Sequence, residues 1–158
     1  MNIEPIAYFR SPLTSKFGVP RQSGIVSELR GRIEFVAKYR QVEALRGLEA
    51  YDYLWLIWGF SENVNAQKHP TVRPPLLGGN QRVGVWASRS PFRPNNLGLS
   101  SVRIASIDME YMTIEVLGGD LMDGTPSTTS SPICLMPTVI LRRVADSPIT
   151  TSGSSWKW

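Results

Sequence analysis

The chain has 158 residues, 42% of them apolar, and its 17 Lys and Arg against 13 Asp and Glu leave a net charge of +4. That length suits one domain with a real core, and no apolar run approaches the ~20 residues that span a bilayer. The segment Met1 to Pro5 lacks the basic-then-apolar pattern of a secretory leader, and the single cysteine, Cys134, excludes an intramolecular disulfide, so a cytoplasmic protein is expected.

Short apolar or alternating runs recur along the chain: Ile6 to Phe9, Arg32 to Val36, Tyr53 to Trp58, Val83 to Trp86, Ser101 to Ile107 and Met112 to Leu117. Each is bounded by Pro, Gly, Asn or Asp, which predicts an all-β barrel or sandwich. Helical periodicity is confined to one short helix, Gln41 to Leu48, closed at Gly47. Trp55, Trp58 and Trp86 read mainly as core, and any of them left exposed could stack on a base. After Pro126 the character changes. Residues 127–158 are rich in Ser and Thr, hold one acid (Asp146), offer a single strand candidate at Val139 to Leu141, and otherwise predict a poorly ordered tail.

Charge is unevenly placed. No Asp or Glu occurs from Asn63 to Ile107, yet that window holds Lys68, His69, Arg73, Arg82, Arg89, Arg93 and Arg103. Such a window predicts an anionic partner: phosphate, carboxylate or nucleic acid. One histidine and one cysteine do not supply a zinc cluster of ordinary spacing, so no metal is expected. No Ser lies in a G-x-S-x-G elbow and there is no Walker loop. Leu117-Gly118-Gly119-Asp120 faintly resembles a Rossmann methyltransferase loop, but the alternating β and α segments of that fold are missing.

The segment from Ala87 to Ser100, with Arg89, Pro91, Arg93, Pro94, Asn95, Asn96 and Gly98, reads as a rigid loop presenting guanidinium groups. Further on, Asp120 and Asp123 bracket an apolar pair directly after a strand. Asp123-Gly124 is a turn signal. Asp120, at the strand end, is placed either for the turn or to accept hydrogen bonds from a ribose or a cation.

Five blocks occur together and in order: Phe17 to Gly24, Leu45 to Glu49, His69 to Asn80, Arg89 to Ser100, and Asp120 to Pro126. Over about residues 3–126 the chain closely resembles the TrmO family, also called YaeB or VirR-like, of S-adenosylmethionine-dependent tRNA methyltransferases. The resemblance implies a single-sheeted β-barrel domain over residues 1–126, with S-adenosyl-L-methionine as cofactor and a homodimer as the working form. It implies N6-methylation of threonylcarbamoyladenosine beside the anticodon of a threonine tRNA, by direct displacement at the sulfonium methyl. Carried over by position, the cofactor contacts are Pro20, Arg21 and Gln22 in one loop, Ser61 and Glu62 after the aromatic strand, Arg89, Leu99, and the segment Gly118, Gly119 and Asp120. Arg89 is suited to a carboxylate, and the two glycines to close backbone approach. Arg73, Arg82 and Arg93 are then assigned to anticodon-loop phosphates or the dimer interface. No residue is identified as the catalytic base. The alternative reading is a non-catalytic basic barrel that binds RNA or senses S-adenosylmethionine.

Residues 127–158 depart from the family, whose members continue after Asp-Gly-Thr-Pro with a block like Ile-Tyr-Asp-Ile-Lys-Pro-Tyr. Codons for Pro126 to Pro137 can be chosen so that restoring one base yields that block. The tail is therefore read as displaced by a one-base deletion near codon 126, in the gene or in its sequencing.

Overall fold

A computed structural model describes residues 4–63, 69–74 and 80–132. Eight strands are present among them: β1 (Ala7–Arg10), β2 (Arg30–Phe35), β3 (Tyr53–Gly59), β4 (Thr71–Val72), β5 (Val83–Gly84), β6 (Leu97–Asp108), β7 (Thr113–Leu117) and β8 (Thr125–Pro132). Six of them close into an antiparallel barrel in the order β1-β2-β7-β6-β3-β8, and β4 and β5 form a separate two-stranded hairpin. No helix of the described residues is long and apolar enough to cross a membrane.

Alternation builds the barrel. In β3, Leu54, Leu56 and Trp58 are buried, whereas Tyr53, Trp55 and Ile57 face out. The period of two that marks a half-buried strand thus sends three apolar side chains into the core and three to the outer wall. Phe9, Ile33, Val102, Ile114, Val116 and Leu121 complete the interior. Of the three tryptophans expected in the core, only Trp58 is there; Trp55 is 37% and Trp86 71% exposed. Tryptophan count alone does not distinguish the two faces of a strand.

The expected helix over 41–48 forms as a single 3-10 turn, Val42–Leu45, with Leu45 buried. Gly47 ends it at φ 84°, in the left-handed region that glycine enters freely, and a further turn, Leu48–Ala50, follows. The run Val83 to Trp86 is strand only as far as Gly84; Val85–Ala87 is a 3-10 turn.

Closure falls to β8, which the sequence pattern does not mark as a strand. It pairs with β1 through Ala7↔Ser127 and Phe9↔Thr125, and with β3 from Leu54↔Pro132 to Trp58↔Ser127, with a bulge between Ile57 and Trp58. The boundary expected at 126 falls inside this strand, which runs to Pro132. The run Thr125 to Pro132 holds two prolines and no large apolar residue; it is held by backbone pairing with both neighbours, by burial of Thr125 and Ser127, and by the Ser127 and Thr128 hydroxyls that donate to Ile57 O. The Val139 to Leu141 strand candidate and the expected disorder of the tail beyond 132 lie outside the described residues.

Two glycines let an aromatic ring fill the barrel. A Cβ on Gly31 would lie 2.2 Å from Phe9 Cζ, and one on Gly119 would lie 2.7 Å from the same atom. Phe9 is 2% exposed, so its ring has nowhere to move. Gly31→Ala is expected to destabilise the fold by about 1–3 kcal/mol through overpacking. Thermal unfolding checks this, with Phe9→Leu in the same chain expected to recover part of the loss.

Candidate functional site

One end of the barrel opens into a cleft of about 1180 Å³. Four segments wall it: the loop Lys16 to Gln22, the end of β3 with the turn after it, the β4–β5 hairpin, and the Ser88 to Leu99 segment that leads into β6. Asp120, Leu121, Met122 and Thr125 form part of its lining between β7 and β8.

The arginine loop is held by its own serines and asparagines. Ser88 Oγ donates to Val85 O at 2.9 Å, the Ser90 N–H donates to Ser88 Oγ at 3.4 Å, and the Phe92 N–H donates to Ser90 Oγ at 3.2 Å. Asn95 and Asn96 adopt φ of 70° and 50°, the left-handed geometry that asparagine tolerates. The Phe60 N–H then donates to Asn96 O at 2.9 Å, tying the loop to the end of β3. The loop is a rigid presenter of Arg89, as its Pro and Asn content indicates.

Trp58 and Ser100 connect the core to this cleft. Trp58 Nε1 donates to Ser100 Oγ at 2.9 Å in a buried hydrogen bond. The indole lies against the bare backbone of Gly98, where a Cβ would come within 2.5 Å of the ring, and its centroid is 4.3 Å from that of Phe60. Trp58 and Phe60 both line the cleft, a placement the sequence carried only as the inward phase of β3.

Asp120 is the buried acid of the site. Its Oδ1 is shielded from solvent and has no hydrogen-bond partner among the described residues. Burial raises its pKa above the ordinary carboxylate range, although the Ser100 hydroxyl, the backbone at Asp120 and Ser23, and the charge of Arg89 each favour the ionised form. These neighbours lie near the carboxyl group without satisfying Oδ1. A buried acceptor beside a cleft and left without a donor is a place where a ligand donor fits.

The electrostatics divide by face. Arg10 with Glu34 and Arg32 with Glu115 are paired at 2.8 and 2.5 Å on the outer wall of β1, β2 and β7, and Lys38 is paired with Glu4. In the cleft, Lys16, Arg21, Arg73, Arg82, Arg89 and Arg93 face only two carboxylates, Glu62 and Asp120. No ion pair holds any of these six cations among the described residues. The acid-free window therefore converges in space: its Arg73, Arg82, Arg89 and Arg93 share one cleft. Arg103 does not join them, since it pairs with Tyr53 on the exposed barrel wall, and Lys68 lies outside the described residues.

Of the residues expected to contact the cofactor, Pro20, Arg21, Gln22, Ser61, Glu62, Arg89, Leu99 and Asp120 all line the cleft. Gly118 and Gly119 do not, and their close approach is to protein. Gly118, at φ 77°, accepts a hydrogen bond from the Gly24 N–H at 2.9 Å and donates its own N–H to Leu29 O at 2.9 Å. Gly119 makes room for the Phe9 ring. Gly118 anchors the Gly24 to Leu29 stretch beside Asp120. Asp123 is a turn anchor: its Oδ1 accepts from the Ser11 N–H at 3.1 Å, and its own N–H donates to Leu13 O at 2.8 Å. Arg73, Arg82 and Arg93, expected to meet RNA phosphates or a second subunit, line the same cleft as Arg89.

Residues 8–128 match the family model described as tRNA-methyltransferase O N-terminal domain. The chain is 43% identical over 131 residues to a tRNA (adenine(37)-N6)-methyltransferase of Escherichia coli (strain K12), covering 82% of this chain and 56% of that protein. It is 33% identical over 158 residues to a putative S-adenosylmethionine-dependent methyltransferase, RcsF, of Pseudomonas aeruginosa, covering 98% of this chain and 65% of that protein. A solved TrmO structure from Pseudomonas aeruginosa superimposes with a TM-score of 0.72 at 32% identity, covering 94% of this chain and 64% of that one. The chain thus spans between half and two thirds of the length of these relatives. By the extent of the family match, it belongs to the tRNA-methyltransferase O N-terminal domain family.

Proposed function

We propose that this chain is the S-adenosylmethionine-binding domain of a tRNA methyltransferase that methylates N6 of threonylcarbamoyladenosine beside the anticodon of a threonine tRNA. The observation that carries the reading is the convergence of arginines held in no ion pair and a buried carboxyl with one unpartnered oxygen in a single cleft. A cofactor with a carboxylate, a ribose and a cationic centre meets all three needs: a guanidinium, a hydrogen-bond acceptor and a negative charge. The cleft, about 1180 Å³, is large enough for a cofactor of this size.

When bound, S-adenosylmethionine supplies an electrophilic methyl group on a sulfonium. The chain's own residues position and screen. Arg89, on its serine-braced loop, holds a carboxylate. Asp120 Oδ1 accepts from a hydroxyl. Trp58, Phe60 and Leu99 supply apolar wall. Arg73 and Arg82, exposed at the hairpin, offer charge to phosphates. Alignment of reactants in such a pocket contributes up to ~7–11 kcal/mol of a displacement barrier. The protein is read as a cytoplasmic homodimer, and the outer stripe of Tyr53, Trp55 and Ile57 supports self-association. The binding unit is taken as residues 1–126 carried on to the end of β8, consistent with a family match that ends at 128. Resequencing the gene across codon 126 tests the out-of-frame reading of 127–158: an added base opening an Ile-Tyr-Asp-Ile-Lys run is expected there, and an unchanged frame rejects it.

Calorimetric titration with S-adenosylmethionine tests the cofactor assignment. Saturable binding is expected, weakened roughly 10- to 100-fold in Arg89→Ala, the usual cost of a charge-assisted pair. Transfer of labelled methyl to threonine tRNA, lost in the same variant, tests the reaction.

Asp120 adds a pH signature. Its pKa is raised on folding, so its stabilising contribution is complete below the unfolded carboxylate range and is lost as pH rises through the raised value. Asp120→Asn is therefore expected to increase the melting temperature at neutral pH, to change it little near about pH 3, and to weaken cofactor binding. An equal effect on melting at both pH values would contradict this assignment.

A further inference from the structure

We propose that Trp86 is a stacking platform for one nucleobase of the RNA substrate, standing at the rim of the cleft. The inference rests on the reading of this chain as part of a tRNA methyltransferase, and it assigns a positioning residue that the cofactor site does not include.

The 3-10 turn Val85–Ala87 points two adjacent side chains opposite ways: Val85 is 4% exposed and Trp86 71%. The turn is pinned beneath the ring. The Val85 N–H donates to Pro70 O at 2.9 Å, and Val85 O accepts from the Ser88 N–H at 3.3 Å and from Ser88 Oγ at 2.9 Å. The indole is also held from the side. Arg93 Nη2 donates to Trp86 O at 3.2 Å, and the guanidinium carbon lies 5.9 Å from the ring centroid. Arg93 Nε is buried without a hydrogen-bond partner, so this guanidinium supports the ring more than it reaches for solvent. The result is a large, ordered aromatic surface open to water, with a cation against it.

Folding gains little from such a ring, since most of its apolar area remains wet. Its surroundings favour RNA as the occupant. Ser88 to Arg93, which begin two residues after it, line the cleft, and Arg82 and Arg89 are exposed on either side in sequence. No Asp or Glu falls within the whole window from Asn63 to Ile107. Exposed aromatics interleaved with unpaired arginines match the surface of an unstacked base on a phosphate backbone, as single-stranded loops present it.

The test is fluorescence anisotropy of a labelled RNA hairpin with the anticodon stem and loop of a threonine tRNA, titrated with the full 158-residue chain. Trp86→Ala and Trp86→Leu are expected to weaken binding roughly 5- to 100-fold, the range of one base–aromatic stack, and Trp86→Phe to retain most of it. Calorimetric affinity for S-adenosylmethionine is expected to be the same in all four proteins. One abasic loop position is expected to weaken the wild type and to have no further effect in Trp86→Ala, the coupling that a direct stack requires. Unchanged hairpin affinity in Trp86→Ala overturns the proposal. So does full rescue by Leu, which needs only apolar bulk, or a Trp86→Ala protein that changes oligomeric state on sedimentation, which makes the ring a contact between copies. A wild type that binds cofactor but no hairpin rejects the platform and leaves the cofactor site standing, whereas failure to bind either rejects both readings.

Discussion

The buried hydrogen bond from Trp58 Nε1 to Ser100 Oγ joins the barrel's core to its cleft. It forms because β3 and β6 run side by side in a register that places Trp58 opposite Gly98 and Leu56 opposite Ser100. Only a residue without a side chain lets the indole lie flat on the facing strand. The same indole lines the cleft, and the buried Ser100 hydroxyl is among the groups that favour the ionised form of Asp120. An apolar ring, a bare backbone and one hydroxyl thus fix the floor on which the acid sits. Loss of the Ser100 hydroxyl leaves the indole N–H buried without an acceptor, which costs more than the bond contributes.

The two faces of the barrel handle charge differently. On the outer wall, Arg10, Glu34, Arg32 and Glu115 alternate across neighbouring strands and largely neutralise one another. Such exposed pairs contribute little stability, but they leave that wall with no strong field. The cleft has the opposite design. Its arginines come from a stretch with no acids to pair with, so the net positive charge of the chain is focused where a ligand enters.

Much of this was legible in the sequence, for physical reasons that differ by residue. Alternation in Tyr53 to Trp58 and Met112 to Leu117 showed the strands because barrel walls demand a period of two. Asn95 and Asn96 showed a rigid loop because few residues accept their backbone angles. The acid-free window pointed to one anionic site, although only the fold could tell Arg89 from Arg103. Other features left no local trace. Gly118 and Gly119 carry the spacing of a ligand loop, yet they serve Gly24 and Phe9, which are distant in sequence. Trp86 resembles core in composition, and only the turn at Val85 turns it outward. β8 was hard to see because its inward residues Thr125 and Ser127 are small and polar, without the apolar alternation of the other strands.

β8 has a consequence for how the protein is made. β8 joins Ala7 to Ser127, residues at opposite ends of the described chain, and also fills the free edge of β3. While a ribosome is still synthesising the chain, neither β1 nor β3 has this partner. Both then present open edges of the kind that recruit other strands. The barrel can seal only once β8 has emerged from the exit tunnel, so both edges stay open to other strands until that strand is released.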